Sequence, residues 1–239
     1  MLDILYEDNH IIVCYKPKGI LSQADGSDKE DMLTIIKKYI KEKYNKPGDV
    51  YLGLVHRLDI NTSGVMVFAR TSKAASRLSE QIRNNEFNKE YLALVEGKLT
   101  NNNYIELVSY LDKDETSKKA FINPNGKKSV LEYKVIANGI INDKEVSLIN
   151  IKLHTGRFHQ IRCQMSSINH PLYGDKKYGS SIYIDQIEFP LYAYKLKFIH
   201  PTLKTNMVFE KIENNNYIKK WSKIDHLINY CFQFFQIPY

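Results

Sequence analysis

The chain has 239 residues, 43% hydrophobic and 26% charged, enough for one large domain or two small ones around a buried core. Its 34 lysines and arginines against 27 acidic residues give a net charge of +7, which favours a polyanionic partner. No apolar run reaches the length of a membrane span, residues 1–8 lack the basic start and apolar core of a secretion signal, and three scattered cysteines (Cys14, Cys163, Cys231) outline neither a disulfide framework nor a zinc site, so a cytoplasmic protein is expected.

In chain order, residues 4–6 and 11–15 read as a β-hairpin, followed by a sharp basic corner at Lys16-Pro17-Lys18-Gly19. Residues 31–44 carry Leu33, Ile36 and Ile40 at helical spacing, and Asn45-Lys46-Pro47-Gly48-Asp49 breaks that helix. A short apolar run at 52–55 then leads into His56-Arg57-Leu58-Asp59-Ile60-Asn61-Thr62-Ser63-Gly64, and a β-rich run at 65–69 leads out. Asp59 therefore sits where a strand ends and a loop begins, the position at which a rigid framework presents catalytic groups. The same stretch also reads as an Asx-turn, in which Asp59 bonds its own loop backbone.

Ser72 reads as the cap of a helix running through Ala74, Leu78 and Ile82 to about Arg83. Strands are expected at 89–97, 104–110, 130–137 and 146–153, with a lysine-rich polar segment at 111–129 (Lys113, Lys118, Lys119, Lys127, Lys128) as either a solvated hairpin tip or a phosphate-contacting arm. Thr155 reads as the cap of a helix over about 157–167, which puts His159 and Arg162 on one face and Phe158, Ile161 and Met165 on an apolar one. A helix start with an arginine such as Arg157 nearby favours an anion. A glycine-punctuated loop spans 171–179, late strands follow at 192–199 and 207–212, and 217–235 is helical in pattern. Without a repeat or clear linker, the chain reads as α+β: one domain over residues 1–212 with a mixed, largely antiparallel sheet, and a helical extension at 213–239 packed on it. His154 and His159 have no third ligand at metal spacing, so no metal is expected.

Five segments occur together in one order: Lys16-Pro17-x-Gly19, the 56–64 stretch, Lys89-x-Tyr91, Thr155-Gly156-Arg157-x-His159-Gln160-Ile161-Arg162, and Gly174-Asp175-x-x-Tyr178-Gly179. In this the chain resembles, over residues 10–212, the RNA pseudouridine synthases best known for modifying large-subunit ribosomal RNA. The resemblance implies that a uracil is detached from its ribose within RNA, rotated and rejoined through carbon 5, with no metal or organic cofactor. It makes Asp59 the nucleophile, Tyr91 the aromatic that packs on the base and takes a proton, and Arg162 the partner of the catalytic carboxylate. Arg57 would fill the space left by a flipped nucleotide. His56 and His159 would position loops by hydrogen bonding, Lys16 would be a loop or phosphate contact, and Arg157 would join them in holding RNA.

General chemistry agrees with those roles. A carboxylate can attack as a covalent nucleophile, an arginine partner keeps it ionised and oriented, and a base buried in folded RNA must be flipped out to be reached. The expected substrate is ribosomal RNA, with transfer RNA next, acted on by a monomer. No separate N-terminal RNA-binding domain is expected, and the family's late histidine-alanine strand reads Leu191-Tyr192-Ala193 here. Two rivals from other classes are an RNA binder that kept the fold without catalysis, and an aspartate-dependent hydrolase of a small nucleoside. The intact trio Asp59, Tyr91 and Arg162 disfavours the first, and the basic charge disfavours the second.

Overall fold

A computed structural model describes residues 2–184 and 189–212. The helical pattern expected at 217–235, and Cys231 with it, lie outside the described residues. In chain order the elements are β1 (Asp3–Glu7), β2 (Ile11–Lys16), α1 (Met32–Lys43), β3 (Gly53–Leu54), β4 (Ser63–Ala69), α2 (Ser72–Arg83), β5 (Asn88–Glu96) and β6 (Ile105–Asp114). They continue with β7 (Lys119–Ile122), β8 (Lys127–Ile141), β9 (Lys144–Leu153), α3 (Gln160–Ser167), a 3-10 turn at Lys176–Tyr178, β10 (Leu191–Ile199) and β11 (Asn206–Glu210). The architecture is the expected α+β one; within each unit the named strands pair antiparallel, except that β10 runs parallel to β4.

The chain divides into two compact units, residues 1–89 with 192–212, and residues 90–191. Both divisions fall inside strands, β5 and β10, so no glycine- or proline-rich linker marks them.

In the first unit the order is β1-β2-β4-β10, with β11 on β10 and β3 on β4. Every residue of β2 and β4 is buried, as in strands covered on both faces. One face carries Ile11, Val13, Val65, Val67 and Ala69, which pack with Ala74 and Leu78 of α2 and with Phe87, Leu196 and Phe198. Each fully enclosed aliphatic side chain there contributes about 1.5–3 kcal/mol. Helix α1 buries Met32, Ile36 and Ile40, so Met32 takes the place in the buried stripe expected for Leu33, which is half-buried. Its start is capped by Asp31, which accepts from the Thr34 amide at 3.1 Å. The cap of α2 is Thr71, not Ser72; the Thr71 hydroxyl accepts from the Ala74 amide at 3.1 Å.

In the second unit the order is β5-β9-β8-β6-β7, all antiparallel. The segment at 111–129 is more regular than expected. Strand β6 runs to Asp114, β7 returns along it, and a turn at 123–126 feeds β8. This arm escaped the sequence because Leu111 and Ala120 alone bury apolar surface in it, packing with Cys163 and Tyr178. Strands β8 and β9 also extend further than expected, to a two-residue turn in which Asn142 and Asp143 both adopt positive φ (47° and 60°).

Candidate active site

The first unit carries the 56–64 loop. Residues 55–59 are irregular, and the Asp59 carbonyl accepts from the Thr62 amide at 3.0 Å, closing a turn immediately before β4. Three groups from the end of β2 and the corner after it fix this loop. Ser22 Oγ donates to the Leu58 carbonyl at 2.8 Å and accepts from the Leu58 amide at 3.0 Å, a reciprocal clamp on the residue before Asp59. The Gly19 amide donates to the Ile60 carbonyl at 2.9 Å, on the residue after it. Lys16 Nζ donates to the carbonyls of Pro17 (3.0 Å), Ile20 (2.6 Å) and Ile60 (3.2 Å). Asp59 is thus flanked on both sides by backbone that is tied to a second segment.

Lys16 is 0% exposed, so its ammonium ties loop carbonyls and presents nothing at the surface. Of the two expectations for it, loop contact and phosphate contact, this placement serves the first. Burial pushes its pKa down to about 7, while the charge of Asp59 acts in the opposite direction and favours the ammonium. Only an ammonium has a hydrogen for each of the three carbonyls.

His56 Nε2 accepts from the Val67 amide at 3.1 Å, and its ring lies 5.3 Å from that of Phe87. Its Nδ1 is enclosed and has no hydrogen-bond partner among the described residues. Burial, with Lys89 next, lowers the His56 pKa to about 3, so it is a neutral prop for β4. Arg57 is exposed, and Leu58 anchors the loop in the core.

The second unit carries Tyr91, Arg157, His159 and Arg162. Tyr91 is 5% exposed in β5, opposite Ile151 of β9. Helix α3 starts at Gln160, later than the expected 157, because Thr155 does not cap it. The Thr155 hydroxyl donates to Gln160 Oε1 at 2.8 Å and accepts from the Val130 amide at 2.8 Å, tying the segment to β8. Arg157 is exposed, with Nε donating to the Lys128 carbonyl at 3.2 Å. His159 takes the position before the helix in a left-handed conformation (φ 48°), uncommon for a non-glycine residue.

Arg162 donates from Nε to Asp175 Oδ2 at 2.7 Å and from Nη2 to Oδ1 at 2.8 Å, a two-pronged pair in which Arg162 is 11% and Asp175 2% exposed. Its Nη1 donates to His159 Nε2 at 3.0 Å, so the shared face expected for these two residues is a direct contact. An arginine only donates, so His159 Nε2 carries the lone pair and Nδ1 the proton. Burial first, then Arg162, Lys177 and Lys113, lowers the His159 pKa to about 3. Sequence reasoning gave Asp175, Tyr178 and Ser22 no role. The first two stood in a quoted motif, whereas nothing in the sequence marks Ser22.

Two histidines held neutral in the fold bind a proton once unfolded, where their pKa is about 6.5. Their contribution to stability is complete above pH 6.5 and is lost as pH falls from there toward 3. Urea unfolding between pH 6 and 4.5, largely above the carboxylate range, should show stability falling with acidity. His159→Gln should flatten that slope by up to about 1.4 kcal/mol per pH unit. An unchanged slope would mean that His159 is protonated in the fold.

The RNA pseudouridylate synthase family model matches residues 10–167, more than half of the chain, and the chain belongs to that family. It is 35% identical over 201 residues to the ribosomal large subunit pseudouridine synthase D of Borreliella burgdorferi, covering 81% of this chain and 60% of that protein. It is 33% identical over 210 residues to the dual-specificity RNA pseudouridine synthase RluA of Haemophilus influenzae, covering 87% of this chain and 91% of that one. Among solved structures, human RNA pseudouridylate synthase domain containing 4 superposes with a TM-score of 0.72 at 20% identity, covering 93% of each chain, a likeness of fold.

Proposed function

We propose that the protein isomerises uridine to pseudouridine in structured RNA, with large-subunit ribosomal RNA as its main substrate and transfer RNA as the second class, in the cytoplasm. Family membership and the relatives' names support the reaction and the ribosomal substrate. The observation that carries the assignment of Asp59 is the double anchoring of its loop at Leu58 and Ile60 by Ser22, Gly19 and Lys16. A nucleophile acts at full effect only when held in one geometry.

The isomerisation breaks the bond between N1 of uracil and C1′ of ribose, forms one between C5 and C1′, and moves the C5 proton to N1, with no net gain or loss of atoms. In this reading Asp59 supplies the carboxylate that drives uracil detachment, and Tyr91 packs on the base and takes the C5 proton. Arg162 keeps the Asp59 carboxylate ionised. Arg57, exposed beside Asp59, fills the gap left by the flipped nucleotide, and Arg157 contacts the RNA backbone. Purified protein incubated with transcribed large-subunit and transfer RNAs, followed by carbodiimide labelling and primer extension, should give one or a few discrete pseudouridine stops. Binding to RNA without any stop would instead favour a non-catalytic binder, and turnover of free uridine a nucleoside hydrolase.

A further inference from the structure

We propose that Tyr178 is a positioning residue for Arg162, acting through His159, and that it ties the guanidinium of Arg162 to the β6–β7 arm. This rests on the role given to Arg162 above. The contacts converge on the tyrosine oxygen. The Ala120 amide of β7 donates to Tyr178 Oη at 2.7 Å, and the protonated Nδ1 of His159 donates to the same oxygen across 3.0 Å. His159 Nε2 then accepts from Arg162 Nη1 at 3.0 Å, while Asp175 holds Nε and Nη2. Three of the five N–H groups of Arg162 are thereby held within this one unit.

Several features make the relay a specific device and not incidental packing. Tyr178 is 4% exposed, so its hydroxyl serves these two donors away from bulk water. Its ring lies 4.9 Å from the Arg162 guanidinium carbon, and Ser166 of α3 donates to the Tyr178 carbonyl at 2.6 Å. The left-handed backbone of His159 turns its ring onto the helix it precedes, where Phe158 stacks at 3.8 Å between ring centroids. A strained residue is retained when its surroundings demand it. Two lysines of the arm reach the same rings, Lys119 over Tyr178 at 5.2 Å and Lys113 over Phe158 at 5.1 Å. The arm and the guanidinium therefore share one set of contacts, and the tyrosine hydroxyl takes a hydrogen bond from each side.

Tyr178→Phe removes that atom and keeps the ring. With transcribed large-subunit RNA as substrate, the expected result is a kcat lower by about 10- to 100-fold, the cost of misplacing a reacting group, with KM for RNA within about twofold. His159→Gln keeps an acceptor for Arg162 but breaks the link to Tyr178, so the double variant should lose no more than the worse single one. In arginine-labelled protein without RNA, the Arg162 Nε–H signal, assigned by its loss in Asp175→Asn, should exchange faster with water in Tyr178→Phe. An unchanged kcat in a folded Tyr178→Phe, losses that multiply in the double variant, or an unchanged Arg162 signal would overturn the proposal. If Tyr178→Phe does not fold, His159→Gln alone must show the kcat loss and the faster exchange. A wild-type protein that makes no pseudouridine would sink the proposed function, and the Arg162 signal would still decide the relay.

Discussion

Asp59→Asn should abolish pseudouridine formation, by about four orders of magnitude or more, while RNA affinity stays within about threefold of wild type. Asparagine has nearly the shape of aspartate, but its amide is neutral and a poor nucleophile. The loop should keep its conformation, because backbone groups anchor it at Leu58, Ile60 and Thr62. The Asp59 carbonyl takes the Thr62 amide, and Leu58 and Ile60 are held by Ser22, Gly19 and Lys16. The charge of Asp59 helps keep Lys16 protonated, so its loss lowers the Lys16 pKa further and weakens one loop contact slightly. Single-turnover conversion followed by carbodiimide mapping, beside a filter-binding isotherm, measures both quantities. Conversion at the wild-type rate would place the nucleophile elsewhere.

The elements that the sequence made readable are those where local chemistry and burial agree. Helix α1 has a capping aspartate, a buried stripe at Ile36 and Ile40, and a breaker after it, and all three are features of side-chain type and spacing. The loop around Asp59 was readable because a polar cluster interrupts two apolar runs. What escaped depends on contacts between distant residues. A lysine is rarely interior, and nothing near Lys16 announces the three carbonyls that keep it there. Thr155 looks like a helix cap until β8 supplies a competing amide from Val130, 25 residues away in sequence. Arg162 and Asp175 lie 13 residues apart, on a helix and beside a 3-10 turn, a spacing that no local period connects.

The glycine that closes the 56–64 stretch has a steric reason, and it sets the second large effect. Gly64 sits in β4 between Lys16 of β2 on one side and Ala193 of β10 on the other. Its φ of +147° lies where side chains are rarely tolerated, and a Cβ there would stand 2.2 Å from the Ala193 carbonyl oxygen and 2.6 Å from the Ala193 Cβ. Backbone strain costs about 1–3 kcal/mol. Forced overpacking adds a similar amount, so Gly64→Ala should destabilise the protein by about 3 kcal/mol or more. Urea unfolding should show this as a lower midpoint at unchanged slope. Adding Ala193→Gly removes the side-chain clash but leaves the shorter contact with the carbonyl oxygen, so the double variant should recover less than half of the loss. Full recovery would identify the Ala193 methyl as the obstacle. A Gly64→Ala protein within about 0.5 kcal/mol of wild type would mean that β4 and β10 approach less closely than described. Since Thr62 and Ser63 lead straight into this contact, any shift of β4 that relieves it moves the end of the loop carrying Asp59, and activity should fall with stability.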